Sequence, residues 1–260
     1  MKALINIFSS TICLQMKQSF ARPMFRFCLI CNPIVNTVFL YEMFLGKETD
    51  YFLSYVVLGA GLMGIWSCIC FSSAGDINRE RYSGTLSLLY VAPEGFGKII
   101  LGKIIGNTLL SMISFFLSWG TAVLLGGKTI RLEAPVYFLI SMVFLLLCFI
   151  VVSLCLAYAL MLSRKTELYM NLLEIPLIFL CGFTFPIEIL PVWLQRISNC
   201  LPQTWVVRML KMCVEGFQKS LYEQYCFIFW LELLFFLMIT WGLYLWIDPR
   251  IRKKATLEVC

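Results

Sequence analysis

Six long apolar stretches constrain the fold of this chain more than any other feature. A helix needs about 20 predominantly apolar residues to cross the hydrocarbon core of a bilayer. Stretches of this kind cover residues 27–45, 51–74, 99–125, 136–162, 168–185 and 226–247. Apolar segments of this length form helices in lipid, because a helix satisfies all of its own backbone hydrogen bonds. We therefore predict an all-α integral membrane protein with six transmembrane helices in one domain, residues 1–260.

The composition supports this fold class. Hydrophobic residues make up 60% of the chain and charged residues 14%, whereas soluble domains carry about 25% charged residues and 45–50% apolar ones. One core cannot hide the surplus, so lipid is the solvent for much of the surface. The net charge of +6 requires no nucleic-acid partner, because basic residues flank membrane spans on their cytoplasmic side.

The basic residues also predict the orientation in the membrane. Counted on alternate sides of the six spans, the larger set contains Lys2, Lys17, Arg22, Arg26, Arg79, Arg81, Lys98, Lys103, Arg164, Lys165, Arg250, Arg252, Lys253 and Lys254. The other side, with half as many, holds Lys47, Lys128, Arg131, Arg196, Arg208, Lys211 and Lys219. Cytoplasmic loops are enriched in Lys and Arg. We therefore predict a multi-pass plasma-membrane protein with both termini in the cytoplasm.

Two segments outside the spans have amphipathic patterns. Within residues 1–22, an apolar residue recurs every four positions at Leu4, Phe8, Ile12 and Met16, which predicts an N-terminal helix lying in the membrane interface. Within residues 186–225, two apolar stripes consist of Trp193, Leu194, Ile197 and Leu201, and of Val206, Leu210, Val214 and Phe217. We predict two short helices there that re-enter the outer leaflet or cap the bundle.

Residues 76–98 are the longest charged interruption between two apolar runs in the first half of the chain. The charges are Asp76, Arg79, Glu80, Arg81, Glu94 and Lys98. Gly84 and Thr85 open a short piece that Pro93 must end. Three of its side chains share one face at helical spacing: Leu86, Leu89 and Tyr90. This pattern predicts a short amphipathic helix, held between the second and third spans, that contacts a partner.

Motifs that would indicate catalysis are misplaced or incomplete. The G-x-G-x-x-G pattern at residues 59–64 lies inside the second span with no strand before it, where glycines instead let helices approach closely. Residues 97–103 imitate a phosphate loop, but Ile104 stands where Ser or Thr would hold magnesium. The chain has no histidine. We predict no catalytic site, no bound metal or cofactor, and no ATP hydrolysis by this chain.

Most of the 12 cysteines lie in apolar runs, where a free thiol behaves as a small hydrophobic group. Cys28 and Cys31 have metal-ligand spacing but lack a second pair. Cys200 and Cys213 are the plausible pair on the outer side, and the sequence leaves their pairing open.

The fifth span contains an ionisable residue, Glu174, with Asn171 one turn before it. A carboxylate at the bilayer centre costs about 2.5–3.5 kcal/mol on insertion scales, so it should face protein or a water-filled path. Two roles remain open for Glu174: part of a translocation path together with Asn171, or a structural hydrogen-bond anchor.

The central stretch resembles the signature of the type 2 ATP-binding-cassette (ABC) permeases. In that family a charged E-x-x-x-G-T-L segment leaves the second span, forms a coupling helix and precedes a proline. The matching residues here are Glu80, Gly84, Thr85, Leu86 and Pro93. Residues 182–186, 190–194 and 201–202 are similar to the family's re-entrant helical pair. Tyr82 is a departure, at a position that is often charged in the family.

The resemblance implies a permease subunit of an ABC exporter that moves a peptide, drug or lipid-like amphiphile. A separate cytoplasmic ABC ATPase would bind ATP and Mg²⁺, and a second copy or a sister permease would complete the path. The coupling residues would be Arg79, Glu80, Arg81, Gly84, Thr85, Leu86, Leu89 and Tyr90. The alternative is an ion-gradient-driven transporter or pore, which needs embedded carboxylates such as Glu174. The substrate stays open.

Overall fold

The structure, a computed structural model, describes residues 2–44, 54–85, 96–126, 132–161 and 166–254, together with Leu88 and Ser163. Nine α-helices of eight or more residues lie within these ranges, with no strand. They are α1 (Lys2–Ala21), α2 (Pro23–Phe44), α3 (Gly59–Tyr82), α4 (Phe96–Gly126), α5 (Pro135–Leu160), α6 (Thr166–Leu180), α7 (Val192–Asn199), α8 (Pro202–Glu215) and α9 (Lys219–Lys254). A π-helical turn, Ser54–Leu58, leads into α3, and a 3-10 turn, Ile187–Ile189, precedes α7. The predicted all-α class is confirmed.

Five helices in the described part of the chain are long and apolar enough to cross a membrane: α2, α3, α4, α5 and α9. The fifth predicted span, 168–185, is not one continuous helix. It corresponds to α6, which has 15 residues and is therefore about 22 Å long. Gly182 ends it in the left-handed region, with φ of 70°, a conformation that glycine adopts without steric cost. The six-span layout remains a prediction.

Two other helix boundaries differ from the prediction. The last helix, α9, continues through Pro249 to Lys254 instead of ending at residues 248–250. Proline removes one backbone hydrogen bond, and here that loss does not end the helix. Helix α3 likewise continues to Tyr82, so Arg79, Glu80 and Arg81 lie on its last turns and are not part of a separate segment.

Helix α3 occupies the centre of the bundle. In its apolar window Tyr55–Ser72, 83% of the residues are buried, against 17% in the window of α9. It packs against α2, α4, α5 and α6. A Cβ on Gly59 would lie 2.8 Å from the carbonyl oxygen of Phe183, and one on Gly61 would lie 2.5 Å from the Phe115 ring. The G-x-G-x-x-G pattern therefore serves close helix packing, as predicted.

The segment 186–225 contains two helices, α7 and α8, as predicted. Val206 and Leu210 on α8 are fully buried in the main core, between α5 and α9. The stripe on α7 is different, because Trp193 and Ile197 are exposed. Both candidate partners of a disulfide, Cys200 and Cys213, are free thiols. The depth of this pair of helices in the bilayer stays a prediction.

Candidate functional site

The last turns of α3 carry the charged part of the predicted coupling segment. The Arg79 side chain is about half exposed at 47%, whereas Glu80 is largely covered at 21%. Gly84 has φ of 66°, so the chain turns sharply just after the helix, in a conformation that favours glycine. The turn follows the end of α3 and precedes the short helix that the sequence predicts.

Glu80 is held by two hydrogen bonds. Lys103 Nζ on α4 donates to Glu80 Oε1, and Thr85 Oγ1 donates to Glu80 Oε2. Burial raises the pKa of Glu80, but the bonds from Lys103 and Thr85 outweigh it, so the pKa lies below its ordinary value. The carboxylate is thus ionised and joins the end of α3 to α4 across the predicted coupling segment.

The predicted contact face of the coupling helix, Leu86, Leu89 and Tyr90, lies outside the described residues. Leu88, which is described, is helical and 68% exposed. The Arg81 side chain also lies outside them. Contacts of these residues therefore stay predictions. Within the described residues, the site consists of Glu80 and its hydrogen bonds to Lys103 and Thr85.

A second polar cluster lies one turn earlier on α3, around Asp76. Gln15 Nε2 donates to Asp76 Oδ2 at 2.6 Å, and Asn107 Nδ2 donates to the same oxygen at 2.8 Å. Arg22 Nη2 donates to Asp76 Oδ1 at 2.5 Å. Ser19 Oγ closes the cluster by donating to Asn107 Oδ1 at 2.6 Å. We call these five residues the Asp76 network.

The Asp76 network fastens α1 to α3 and α4. Asp76 is 8% exposed, and Gln15 and Asn107 are each 2% exposed. Leaving a buried polar group without its partner costs about 1–3 kcal/mol, and more for a charged group. Close backbone packing adds to the attachment, since a Cβ on Gly106 of α4 would lie 2.9 Å from the Ile12 carbonyl oxygen. The predicted interface helix is therefore docked on the bundle.

The two candidate path residues are on α6 but in different surroundings. Ser67 Oγ on α3 donates to Glu174 Oε1, so Glu174 anchors α6 to the central helix. Asn171 is exposed. It lies on a stripe of exposed side chains at helical spacing, with Leu168, Leu172 and Ile175. Glu174 therefore has a hydrogen-bond partner on the central helix, and Asn171 lies on a face of α6 that is exposed within the described part of the chain.

Sequence reasoning missed Lys103 and all five members of the Asp76 network as site residues. Lys103 was counted only among the basic residues of one side, and the interface-helix prediction gave Gln15 and Ser19 no role. Across α1, α3 and α4, these residues bond partners that lie between 23 and 92 positions away along the chain. Only the packing of α1, α3 and α4 brings them together.

The fold defines the general class, an α-helical multi-pass membrane protein whose central helix ends in a charged, hydrogen-bonded turn. The family is given by sequence comparison: the family model described as ABC-2 type transporter matches residues 8–213. That match covers more than half of the chain, from α1 into α8, so this chain belongs to the ABC-2 type transporter family and is a permease subunit of an ABC transporter. A search of curated proteins finds no significant match.

Proposed function

We propose that this permease exports an amphiphilic substrate, driven by ATP that a separate cytoplasmic ABC ATPase binds with Mg²⁺ and hydrolyses. A second copy or a sister permease completes the path, and both termini lie in the cytoplasm of a cell whose plasma membrane holds the complex. The observation that carries the proposal is the pair of hydrogen bonds by which Lys103 and Thr85 hold Glu80. It joins both ends of the segment that an ATPase would push. Permeases of this family generally pair with an ATPase subunit.

The bond gives a route for force from the ATPase into the bundle. Leu86, Leu89 and Tyr90 would fill a groove on the ATPase, and Arg79, which is about half exposed, would set the register by charge. Displacing this segment moves the ends of α3 and α4 together, because Glu80 and Lys103 join them. Helix α3 packs against α2 and α6, so its tilt would be passed to the helices around it.

The exposed stripe of α6 is the proposed wall of the path. A single chain of six spans seldom encloses a path, so a symmetric second copy facing this stripe is expected. Asn171 would offer the stripe's polar side chain to the substrate, and the neighbouring Leu172 is 66% exposed. Glu174, bonded to Ser67, would fix the angle of α6 against the moving α3. Such a wall suits an amphiphile, since it is apolar with one polar group.

The test is a charge reversal and its repair. The permease is purified with the ATPase that accompanies it and reconstituted in liposomes, and both ATP hydrolysis and flipping of a fluorescent phosphatidylethanolamine are measured. For Glu80→Lys we expect hydrolysis to continue while transport per ATP falls about tenfold, within the range of coupling between linked sites. The double variant Glu80→Lys with Lys103→Glu restores the ion pair and should recover transport.

Lys219→Glu is the matched control, because this lysine is 69% exposed and lies on α9. It should transport like the wild type. If Glu80→Lys transported as much substrate per ATP as the wild type, the coupling role of Glu80 would be contradicted. Transport by the purified chain without any ATPase would instead support the ion-gradient alternative.

A further inference from the structure

A cavity of about 330 Å³ lies beside α8, at the turn after α6 and the π-helical turn before α3. Tyr55 in its wall precedes Asp76 by 21 positions, so the cavity lies about 30 Å from the Asp76 network along the helical rise. Most of the residues that line the cavity are apolar or glycine. Four charged residues also line it: Glu188, Arg208, Lys211 and Glu215. The proposed coupling mechanism does not involve this cavity.

The deepest charged group in the cavity is Lys211, which is 9% exposed. Its Nζ donates to the Gly182 carbonyl oxygen at 2.7 Å and lies 4.0 Å from the centroid of the Tyr55 ring. Such a ring attracts a cation through its negative face. An ammonium has three N–H donors, and within the described chain one carbonyl oxygen accepts from it. A ligand oxygen in the cavity can therefore accept another.

The other charges are arranged by depth. Arg208, one turn before Lys211, has a side chain 24% exposed and lies 3.8 Å from Glu188 through its Nη2. Its guanidinium also lies 4.9 Å over the Trp205 ring, which holds it in place. Glu188 is 73% exposed and stands at the mouth. The charges thus run from the buried Lys211 to the exposed Glu188, with the partly exposed Glu215 in the same lining.

We propose that this cavity binds the zwitterionic head group of a phospholipid, with the phosphate at Lys211 and Arg208 and the ammonium at Glu188. A simple anion would meet the carboxylates of Glu188 and Glu215, and a simple cation would meet the two basic groups. A head group carrying both signs matches both. The volume is near the lower end of the roughly 300–1,000 Å³ range of ligand sites, which suits a head group, and phospholipid surrounds any membrane protein.

The binding is measured on the full-length permease in detergent, by native mass spectrometry with added phosphatidylethanolamine. Lys211→Met keeps the unbranched side chain, one atom shorter, and removes its charge. We expect the affinity for this lipid to fall about tenfold, as for the loss of a charge-assisted hydrogen bond. Lys219→Met, at a 69% exposed lysine outside the cavity lining, is the matched control and should bind as the wild type does. Equal binding by Lys211→Met would overturn the proposal.

A second variant covers the case in which Lys211→Met does not fold. Glu188 is 73% exposed, so Glu188→Gln leaves the packing intact while removing the charge that would receive the ammonium. It should lower the affinity for phosphatidylethanolamine and leave that for phosphatidylglycerol, which has no ammonium, unchanged or higher. An unchanged preference between the two lipids would overturn the zwitterionic assignment. Because the measurement needs neither ATPase nor transport, its failure would leave the proposed export function untouched.

Discussion

Two partly or fully buried charged side chains at opposite ends of this permease are held in different ways. Glu80 receives hydrogen bonds from a lysine and a threonine, and these keep it ionised. Lys211 has a carbonyl oxygen and an aromatic ring as neighbours. Burial lowers the pKa of Lys211 to about 7, although Glu215 and Glu188 oppose the shift. Glu80 is therefore fixed in an ion pair with Lys103, whereas Lys211 can gain or lose a proton near neutral pH.

Lys211 makes lipid binding pH-dependent. Its charge is faced by Arg208 and Glu215 on α8, by Glu188 on the 3-10 turn, and by the Tyr55 ring. We expect the affinity for phosphatidylethanolamine to weaken as the pH rises above about 7, the pKa of the lysine, because the neutral amine loses its attraction for phosphate. Native mass spectrometry from about pH 6 to about pH 9 measures this change in affinity. The range stays below the ordinary pKa of lysine, so exposed lysines keep their charge throughout.

The stability of the lipid-free protein should change in the opposite direction. The folded pKa of Lys211 lies below the ordinary value of 10.5, so between the two values the unfolded chain binds more protons than the folded one. Stability therefore rises with pH through that window. Lys211→Met should remove both trends. If it binds lipid with the same pH dependence as the wild type, another group titrates.

At the scale of helices, the Asp76 network determines whether α1 packs on the bundle. An amphipathic N-terminal helix can lie free in the interface or pack on the bundle. Here its polar residues Gln15 and Ser19 are buried against α3 and α4. Hydrogen bonds between buried side chains rigidify a contact, and removing one member leaves the others unpaired. Helix α1 is therefore attached to the two helices that flank the predicted coupling segment.

Replacement of Asp76 tests this attachment. Asp76→Asn keeps the shape and removes the charge that pairs with Arg22, whose side chain is 14% exposed. Breaking a buried ion pair by removing one partner costs about 3–5 kcal/mol. We expect a lower unfolding temperature in detergent and faster hydrogen exchange in α1.

The control for this variant is Glu223→Gln, in an exposed pair with Lys219 at 4.0 Å. Exposed pairs contribute about 0–1 kcal/mol, so this change should have little effect. Exchange in α1 that is the same in Asp76→Asn and in the control would mean that the network does not hold the helix.

At the scale of the whole molecule, the number of crossings depends on α6. This helix is about 8 Å shorter than the hydrocarbon core of about 30 Å. The turn at 181–185 would have to complete the crossing, and α7 and α8 would then lie at membrane depth. Irregular backbone there must be covered by protein. The turn begins with three buried residues, Cys181, Gly182 and Phe183, which meets this condition at its start.

Two exposed cysteines distinguish the topologies. Cys13 lies on α1 and Cys200 lies between α7 and α8, so they are on opposite sides only if α6 crosses. We expect a membrane-impermeant maleimide to label Cys200 in intact cells and Cys13 only after lysis. Cys200→Ser should abolish the external label. Labelling of both cysteines from one side would reduce the permease to five spans.

The sequence by itself determined the all-α membrane class, the approximate positions of the five long helices and the presence of α7 and α8. These features depend on the length and period of apolar residues, which are local properties of the chain. The motif around Glu80 and Gly84 also pointed to the family that the comparison found. The break of the fifth span at Gly182 was missed, because the apolar run continues past the residue that ends the helix.

Only the tertiary structure decided which polar residues meet. Lys103 reaches Glu80 across 23 positions, and Gln15 reaches Asp76 across 61. Lys211 finds the Gly182 carbonyl oxygen 29 positions away. A polar side chain in an apolar sequence must have a partner, but the sequence does not say which one. That choice is made by the packing of one helix against another, which docks α1 on the bundle and places charged side chains around the cavity beside α8.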